Sequence, residues 1–328
     1  MKKLLSLVLA LLLALSFFGC AAPQQPAAPS GPEEASIASV YAVSVPFIVA
    51  LGLQDNVVAI NCKSRFWTDN VPALGEAGTV GRGVVDLEAL ASFDPSVLIH
   101  RSNDAKTVEA VQALGVEVLC IKAESMDDVE TTLRTMGEYF GKTERAEEVV
   151  AWINGKFAYI DSIVEAIPME ERATALVMGG ELGRIAGYDM LQSWMIEKAG
   201  GIAASKGIEN DCNWAQAGVE KVFELDPDFL FLTSSTPLDY SAEEIMGDPS
   251  WSAMRAVKNS RVLQIPSKID SWDLPGVVSV IGAMWMLNRM YPERFTAEQL
   301  QAEIDEYYTF MFSQTFGADY LGYDLAAN

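Results

Sequence analysis

The sequence predicts an α/β protein of two Rossmann-like lobes with parallel-rich sheets, joined by one long helix, with a ligand cleft between them. Three observations predict it: a duplicated segment, an alternation of strand-like and helix-like runs around each copy, and a long amphipathic stretch between the copies. The duplicated segment reads DLEALASFDPSVLIHRS from Asp86 to Ser102 and GVEKVFELDPDFLFLTS from Gly218 to Ser234, at a constant offset of 132 residues. In each copy a glutamate, Glu88 or Glu220, opens a short helical run, and Asp-Pro stops it at Asp94-Pro95 and Asp226-Pro227. Proline disfavours helical geometry in the residue before it, which ends the helix. The unbroken apolar run that follows suits a strand buried on both faces.

The order of elements repeats around the copies. Strand-like VVAINC precedes the first and ATALVM the second, while VEVLCI and RVLQIP follow them, with helical stretches between. Such alternation argues parallel sheets covered by helices. Between the halves, from Thr143 to Pro168, Val149, Val150, Ile153, Phe157, Ile160, Val164 and Ile167 recur at helical spacing. A rod of that length spans ~38 Å at 1.5 Å per residue, enough to bridge two lobes and to limit their hinge motion. The expected division is therefore an N-terminal lobe over 36–142, an interlobe helix over 143–168 and a C-terminal lobe over 169–328. In open α/β sheets ligands bind beyond the carboxyl ends of the strands, so two facing lobes place the site in the cleft between them.

The chain start assigns a compartment. Lys2 and Lys3 precede an apolar stretch, Leu4 to Phe18, that stops at Gly19-Cys20. At 15 residues the stretch is shorter than the ~20 a bilayer span needs, and it has the order of a secretory signal. Residues 1–19 are expected to be that signal, with cleavage before Cys20. Residues 20–35 carry AAPQQPAAPSGPEEA after the cysteine, too poor in bulky apolar residues to pack, and form a tether with a reach of ~20 Å. Without Lys2 and Lys3 the chain has 21 basic against 45 acidic residues, a net charge of −24. So acidic a body repels nucleic acid. The remaining cysteines, Cys62, Cys120 and Cys212, are odd in number and lack metal-type spacing; Cys62 and Cys120 sit in apolar strand-like runs and are expected to be buried thiols.

Taken together, ALGLQDNVVAI, VGRGVVDLEALASFDPSVLI, EKAGGIAASKGI, WAQAGVEKVFELDPDFLFL, DPSWSAMRAVKNSRVLQIP and WMLNRMYPERF, in that order and spacing, resemble the substrate-binding proteins of iron-siderophore, haem and cobalamin ABC importers. The resemblance covers nearly all of the chain after the tether. It departs near the first strand, where the family often carries Ser-Pro and a glutamate and this chain reads VYAVSVP, with Pro46 at the glutamate's place. Gly19-Cys20 resembles a bacterial lipobox, which implies a lipidated Cys20 holding the protein on the extracytoplasmic face of a membrane; Phe17 departs from the usual aliphatic residue there. The family further implies an ABC permease and its ATPase as partners, a monomeric binding protein, and docking of Glu88 and Glu220 onto permease arginines. Two charges held apart on rigid lobes give orientation and steering more than affinity; an acid in a first helical turn also stabilises the helix dipole.

Three arginines fall on loops that this architecture turns toward the cleft: Arg82 in VGRGVV, Arg101 after the strand SVLIH, and Arg184 in the glycine-rich MGGELGRIAG. Forked, permanently charged guanidiniums on an acidic body suit carboxylate or catecholate oxygens, and Lys268 in IPSKIDSW is a fourth candidate. Trp67, Trp214 and Trp272 offer flat walls to an aromatic or macrocyclic ligand; Trp214 matches a ligand-wall position of cobalamin-binding relatives, and for Trp67 and Trp272 burial in a lobe core is the competing reading. His100, the single histidine, ends a strand at the cleft and is either structural or a ligand to iron. MGGELGRIAG lacks both the GxGxxG and the P-loop spacing and is expected to lie close to the ligand.

No cofactor is expected to be held permanently. The three arginines fit an anionic complex, which favours a ferric siderophore as the transported ligand, then haem, with propionates on the arginines and His100 or Tyr188 on the iron, then cobalamin. An extracellular enzyme working through an acid pair in the cleft is the alternative of a different class. One histidine leaves no multi-histidine metal centre, and neither GxSxG nor HExxH is present.

Overall fold

The computed structural model describes residues 35–61, 65–101, 104–267 and 269–325. The first half builds a five-stranded sheet from β1 (Ile37–Ser39), β2 (Val57–Ile60), β3 (Gly78–Thr79), β4 (Val97–Arg101) and β5 (Glu117–Ile121), in the order β3-β2-β1-β4-β5. Every pairing in it is parallel. The connections carry α1 (Ser44–Ala50), α2 (Arg65–Asn70), α3 (Pro72–Gly75), α4 (Leu87–Phe93) and α5 (Ala105–Gln112). Because β1 and β4 are interior strands, Ile37, Ala38, Val97, Leu98 and Ile99 are completely buried, as continuous apolar runs in parallel sheets require. At the edge of the sheet β5 is only partly covered, so Cys120 is an exposed free thiol and not the buried one its apolar neighbours suggested. Cys62 lies outside the described residues.

The chain then enters α6 (Met126–Tyr139) through a capping box. The Ser125 hydroxyl accepts the Asp128 amide at 3.2 Å, and the Asp128 carboxylate accepts the Ser125 amide at 3.2 Å, which satisfies two otherwise free donors. The long helix follows as α7 (Thr143–Val164), 22 residues or ~33 Å. Its periodic apolar residues, Val149, Val150, Ile153, Phe157, Ile160 and Val164, are all buried, and Ile167 is buried just beyond its end. One face packs on α6 and another on helices of the second half.

The second sheet is mixed. Its strands are β6 (Thr174–Met178), β7 (Arg184–Ala186), β8 (Ile202–Ala203), β9 (Trp214–Gln216), β10 (Phe229–Leu232) and β11 (Val262–Gln264), in the order β11-β10-β6-β7-β9 with β8 on the side of β6. β7 runs antiparallel to both β6 and β9. Around it lie α8 (Leu191–Lys198), α9 (Val219–Leu225), α10 (Ala242–Gly247) and α11 (Arg255–Lys258), and the chain ends in α12 (Ser279–Met290), α13 (Ala297–Phe312) and α14 (Ala318–Leu321).

The duplicated segment keeps its offset in three dimensions: α4 is followed by β4 as α9 is followed by β10. Both helices end on the aspartate before proline, with Asp94 at φ 46° and Asp226 at φ 38°. The proline does end each helix, but through a left-handed cap and not the extended geometry usual before proline; aspartate is one of the few residues that tolerate this.

The C-terminal helices tie the two halves together. Trp152 on α7 stacks on Phe310 of α13 at 5.1 Å and 5°, and Lys156 pairs with Glu303 at 2.6 Å and Glu306 at 2.7 Å. Further along, Phe312, Phe316 and Tyr320 close over Phe66 of α2, and the Asn70 amide donates to Tyr320 Oη at 2.9 Å. The largest buried cluster consequently runs without a break from Ile37 through α7 to Tyr308. The joint is two helices and an aromatic clamp, stiffer than a single helix alone.

Candidate functional site

The carboxyl ends of the parallel strands in the two halves meet in a cleft. From the first half, β1 contributes Tyr41 to Pro46, β2 contributes Phe66 and Trp67, β4 contributes Arg101, and β5 contributes Lys122 and Glu124. From the second half come Gly179 to Arg184, Tyr188 to Trp194, the Cys212 loop and Ile269 to Val278. The halves touch closely: a Cβ built on Gly276 would lie 3.9 Å from Pro46 Cβ. Two concavities have walls from both sides. One, of about 220 Å³, is lined by Ala42, Pro46, Phe66 and Trp67 against Asp270 and Leu274. The other, of about 280 Å³, sets Ser125 to Asp127 against Tyr188 to Leu191 and Trp194.

Charges of both signs face the cleft. The Tyr41 phenol is pushed up by its burial and by Glu124 and Asp128, with Arg101 pulling the other way. Across the gap, the Cys212 thiol is pushed up by burial and by Asp189, Glu124 and Asp128, with Lys122 opposing. Residues that follow β5, with Asp128 of α6, thus act electrostatically on a loop of the opposite half. Burial works against ionisation of Asp189, yet the amides of Cys212, at 2.6 Å, and Asn210, at 3.3 Å, hold its carboxyl below the usual range.

The three arginines all stand at the carboxyl-end rim. Arg101 ends β4 with half its side chain exposed and lies 4.0 Å from Asp104 Oδ2. Arg184 begins β7 beside the end of β6, half-buried, and its buried Nε has no hydrogen-bond partner among the described residues. Arg82 is exposed in the loop after β3, the edge strand. Since β3 stands three strands from β4, Arg82 and Arg101 are separated by ~14 Å of sheet. Lys268 and Cys20 lie outside the described residues.

The aromatic residues divide. Trp67 is 6% exposed, lines the smaller concavity and packs on Phe312 at 5.0 Å, so it serves the cleft wall and the clamp at once. Trp214 is half-buried over the turn after β6; a Cβ on Gly179 would sit 2.7 Å from its Cε3, so only glycine admits the indole there. Trp272, expected on the cleft wall, is completely buried; its Nε1 donates to Tyr308 Oη at 3.0 Å. The indole is part of the lobe core, and the residues that follow β11 present Asp270 to the cleft in its place.

His100 is likewise withdrawn. Only 2% exposed, it holds Nε2 at 3.1 Å from Asp104 Oδ2, the carboxylate that caps α5. Hydrogen bonds from Thr107 and His100 bring the Asp104 carboxyl down to about 2. Among the described residues no group of three or more His, Cys, Asp or Glu side chains is placed to hold a metal, and His100 is buried against Asp104. Tyr188, the alternative iron ligand, directs its hydroxyl at both oxygens of Glu197, each at 3.2 Å. The loop MGGELGRIAG owes its glycines to protein contacts: beside Gly179 under Trp214, Gly183 (φ 77°) approaches the start of α9 so closely that a Cβ would lie 2.5 Å from Gly218. Glu88 and Glu220 are exposed in the first turns of α4 and α9.

Sequence reasoning missed Tyr41 and Asp270. Neither has a local signature, since a tyrosine after a strand and an aspartate in KIDSWD become cleft residues only when the halves close on each other.

Comparisons with known proteins agree with this architecture. The periplasmic binding protein family matches residues 37–269. The molybdate-binding protein MolA of Haemophilus influenzae is 23% identical over 200 residues, which is 59% of this chain and 54% of that protein, so the chain spans about half the length of this curated relative. The structure of MolA bound to molybdate superimposes with a TM-score of 0.75, at 16% identity over 88% of this chain and 95% of that one. A periplasmic solute-binding protein of Veillonella parvula gives a TM-score of 0.74 at 22% identity, covering 88% and 90% of the two chains. Helicobacter pylori CeuE with Ni(II) bound gives 0.70 at 18% identity, covering 88% and 92%. Among the described residues no helix is long and apolar enough to cross a membrane. With two α/β halves meeting across a cleft and the family match spanning both, the chain belongs to the periplasmic binding protein family.

Proposed function

We propose that this binding protein captures an anionic metal-containing solute, a ferric siderophore before others, and delivers it to an ABC permease and its ATPase. The observation that carries the reading is Arg184, whose half-buried guanidinium at the cleft rim keeps a buried donor without a partner among the described residues. Leaving such a donor unsatisfied is costly, and an anionic ligand oxygen would satisfy it. Arg101, on the facing half, supplies a second fork, and Trp67 and Trp214 supply apolar wall. Lipidated Cys20 and the tether over residues 20–35 would hold a monomeric body, with its lobes at 36–142 and 169–328, near the permease, where Glu88 and Glu220 dock. A small metal oxyanion is the second reading, favoured by the likeness to MolA.

Tryptophan-fluorescence titration and native mass spectrometry against ferric tris-catecholate, ferric citrate, haem, cobalamin and molybdate test the assignment. The expected result is tight binding of one anionic metal species, weakened at least ~10-fold by Arg184→Gln and by Arg101→Gln, about the 1.5–3 kcal/mol of a hydrogen bond to a charged group. Binding of cobalamin alone, or affinities indifferent to both substitutions, would overturn it.

A further inference from the structure

The smaller concavity between the halves contains a carboxyl group in aromatic surroundings. Asp270 is 6% exposed and lines it together with Phe66, Trp67, Pro46 and Leu274. Its hydrogen bonding has a fixed direction. An indole N–H can only donate, so Trp272 Nε1 donates to Tyr308 Oη at 3.0 Å, and the tyrosine's single proton goes to Asp270 Oδ2 at 3.0 Å. That oxygen is an acceptor by construction. The second oxygen has no donor among the described residues, and it is not one of the sealed, unpartnered atoms of the interior. It therefore remains available on the pocket side.

A carboxylate at the end of a pocket walled by a tryptophan and a phenylalanine suits a cation that also presents N–H donors: the carboxylate takes the hydrogen bonds and the ring faces take the charge and the carbon chain. At about 220 Å³ the space admits a chain of a few carbons and falls below the range for drug-sized ligands. We propose that this pocket is a subsite for an alkylammonium group, held by the Asp270 carboxylate in the space lined by Trp67 and Phe66. The group is either a protonated amine arm of the transported solute or a small free amine. The pocket opens on the same cleft, so the inference extends the capture reading while resting on different residues.

Protonation state supports the assignment. Burial pushes the Asp270 carboxyl up to about 7, against the pull of Tyr308. The other groups facing it, Tyr307 and Tyr308 on α13, are pushed well above the ordinary tyrosine range and remain neutral at physiological pH. Lys268, two residues earlier, lies outside the described residues. An alkylammonium stays charged to about pH 10, so binding is expected to strengthen as Asp270 ionises and to release a proton below pH 7.

The full chain would be titrated with n-butylammonium chloride and with 1-butanol, followed by tryptophan fluorescence and saturation-transfer NMR at pH 5.5 and 8.5. Expected are binding of the ammonium, at least ~10-fold tighter at pH 8.5, no comparable binding of the alcohol, and a similar loss in Asp270→Asn, which keeps an acceptor for Tyr308. Equal binding of 1-butanol, an affinity indifferent to pH, or no ammonium binding at either pH would each overturn the proposal. The pH comparison on the unaltered chain keeps this decisive even where Asp270→Asn fails to fold. The probe carries no metal and no anion, so failure here is distinct from failure of the metal-complex reading.

Discussion

Replacing Phe66 by alanine should loosen the joint between the halves more than any nearby surface change. Phe66 is 5% exposed and has its ring 5.7 Å from Trp67, 5.5 Å from Phe312 and 5.6 Å from Phe316, all at steep angles. Truncating a phenylalanine in such packing costs ~3–5 kcal/mol, the lost transfer free energy plus the cavity left behind. A folded body of ~290 residues gains ~0.6 kcal/mol/K of entropy on unfolding, so the melting temperature should fall by roughly 5–8 °C. Calorimetry gives the shift, and hydrogen exchange shows where the loss falls, with faster exchange expected across Tyr308 to Leu321. Leu87→Ala, at a side chain 38% exposed, is the control and should change stability by no more than ~0.5 kcal/mol. A loss below ~1 kcal/mol for Phe66→Ala, or unchanged exchange in α13 and α14, would refute the idea that the clamp joins the halves.

Reversing the charge of both Glu88 and Glu220 should cut uptake at least ~10-fold and leave ligand affinity intact, because the two charges are exposed in the first turns of α4 and α9 and act on association; normal uptake in the double variant would remove their docking role. Asp104 has a folded carboxyl held at about 2, below the unfolded ~3.9, so its contribution is present above pH ~4 and lost as pH falls toward 2. Acid-unfolding curves of Asp104→Ala and the parent should therefore separate above pH 4 and converge near pH 2; a constant difference would contradict the sign. Asp270 is the opposite case. Its carboxyl is raised to about 7, so the folded state binds the extra proton and stability declines as pH rises from ~4 to 7. Asp270→Asn, which retains the bond from Tyr308, should be the more stable chain at pH 8.5 by up to ~4 kcal/mol in urea denaturation; a destabilised variant at that pH would show that the carboxylate is compensated.

The duplicated α/β unit, the long central helix and the family were all legible in the sequence, because each rests on local rules. Asp-Pro at a fixed offset ends two helices in the same way, and the apolar period of α7 selects Val149, Val150, Ile153, Phe157, Ile160 and Val164 for burial without reference to anything outside that segment. Exposure at the cleft follows other rules. Trp67 and Trp272 both follow a strand in sequence, yet one lines a pocket and the other is sealed beneath Tyr308, because α13 crosses back over the joint between the halves. Cys120 is exposed because β5 happens to be an edge strand, and His100 is withdrawn because Asp104 caps the next helix beneath it. Asp270 gains its place at the pocket only when Pro46 and Gly276 meet. Periodicity fixes which face of an element turns inward, but which inward face meets a cavity depends on contacts between residues hundreds of positions apart, and only the closed tertiary structure decides those.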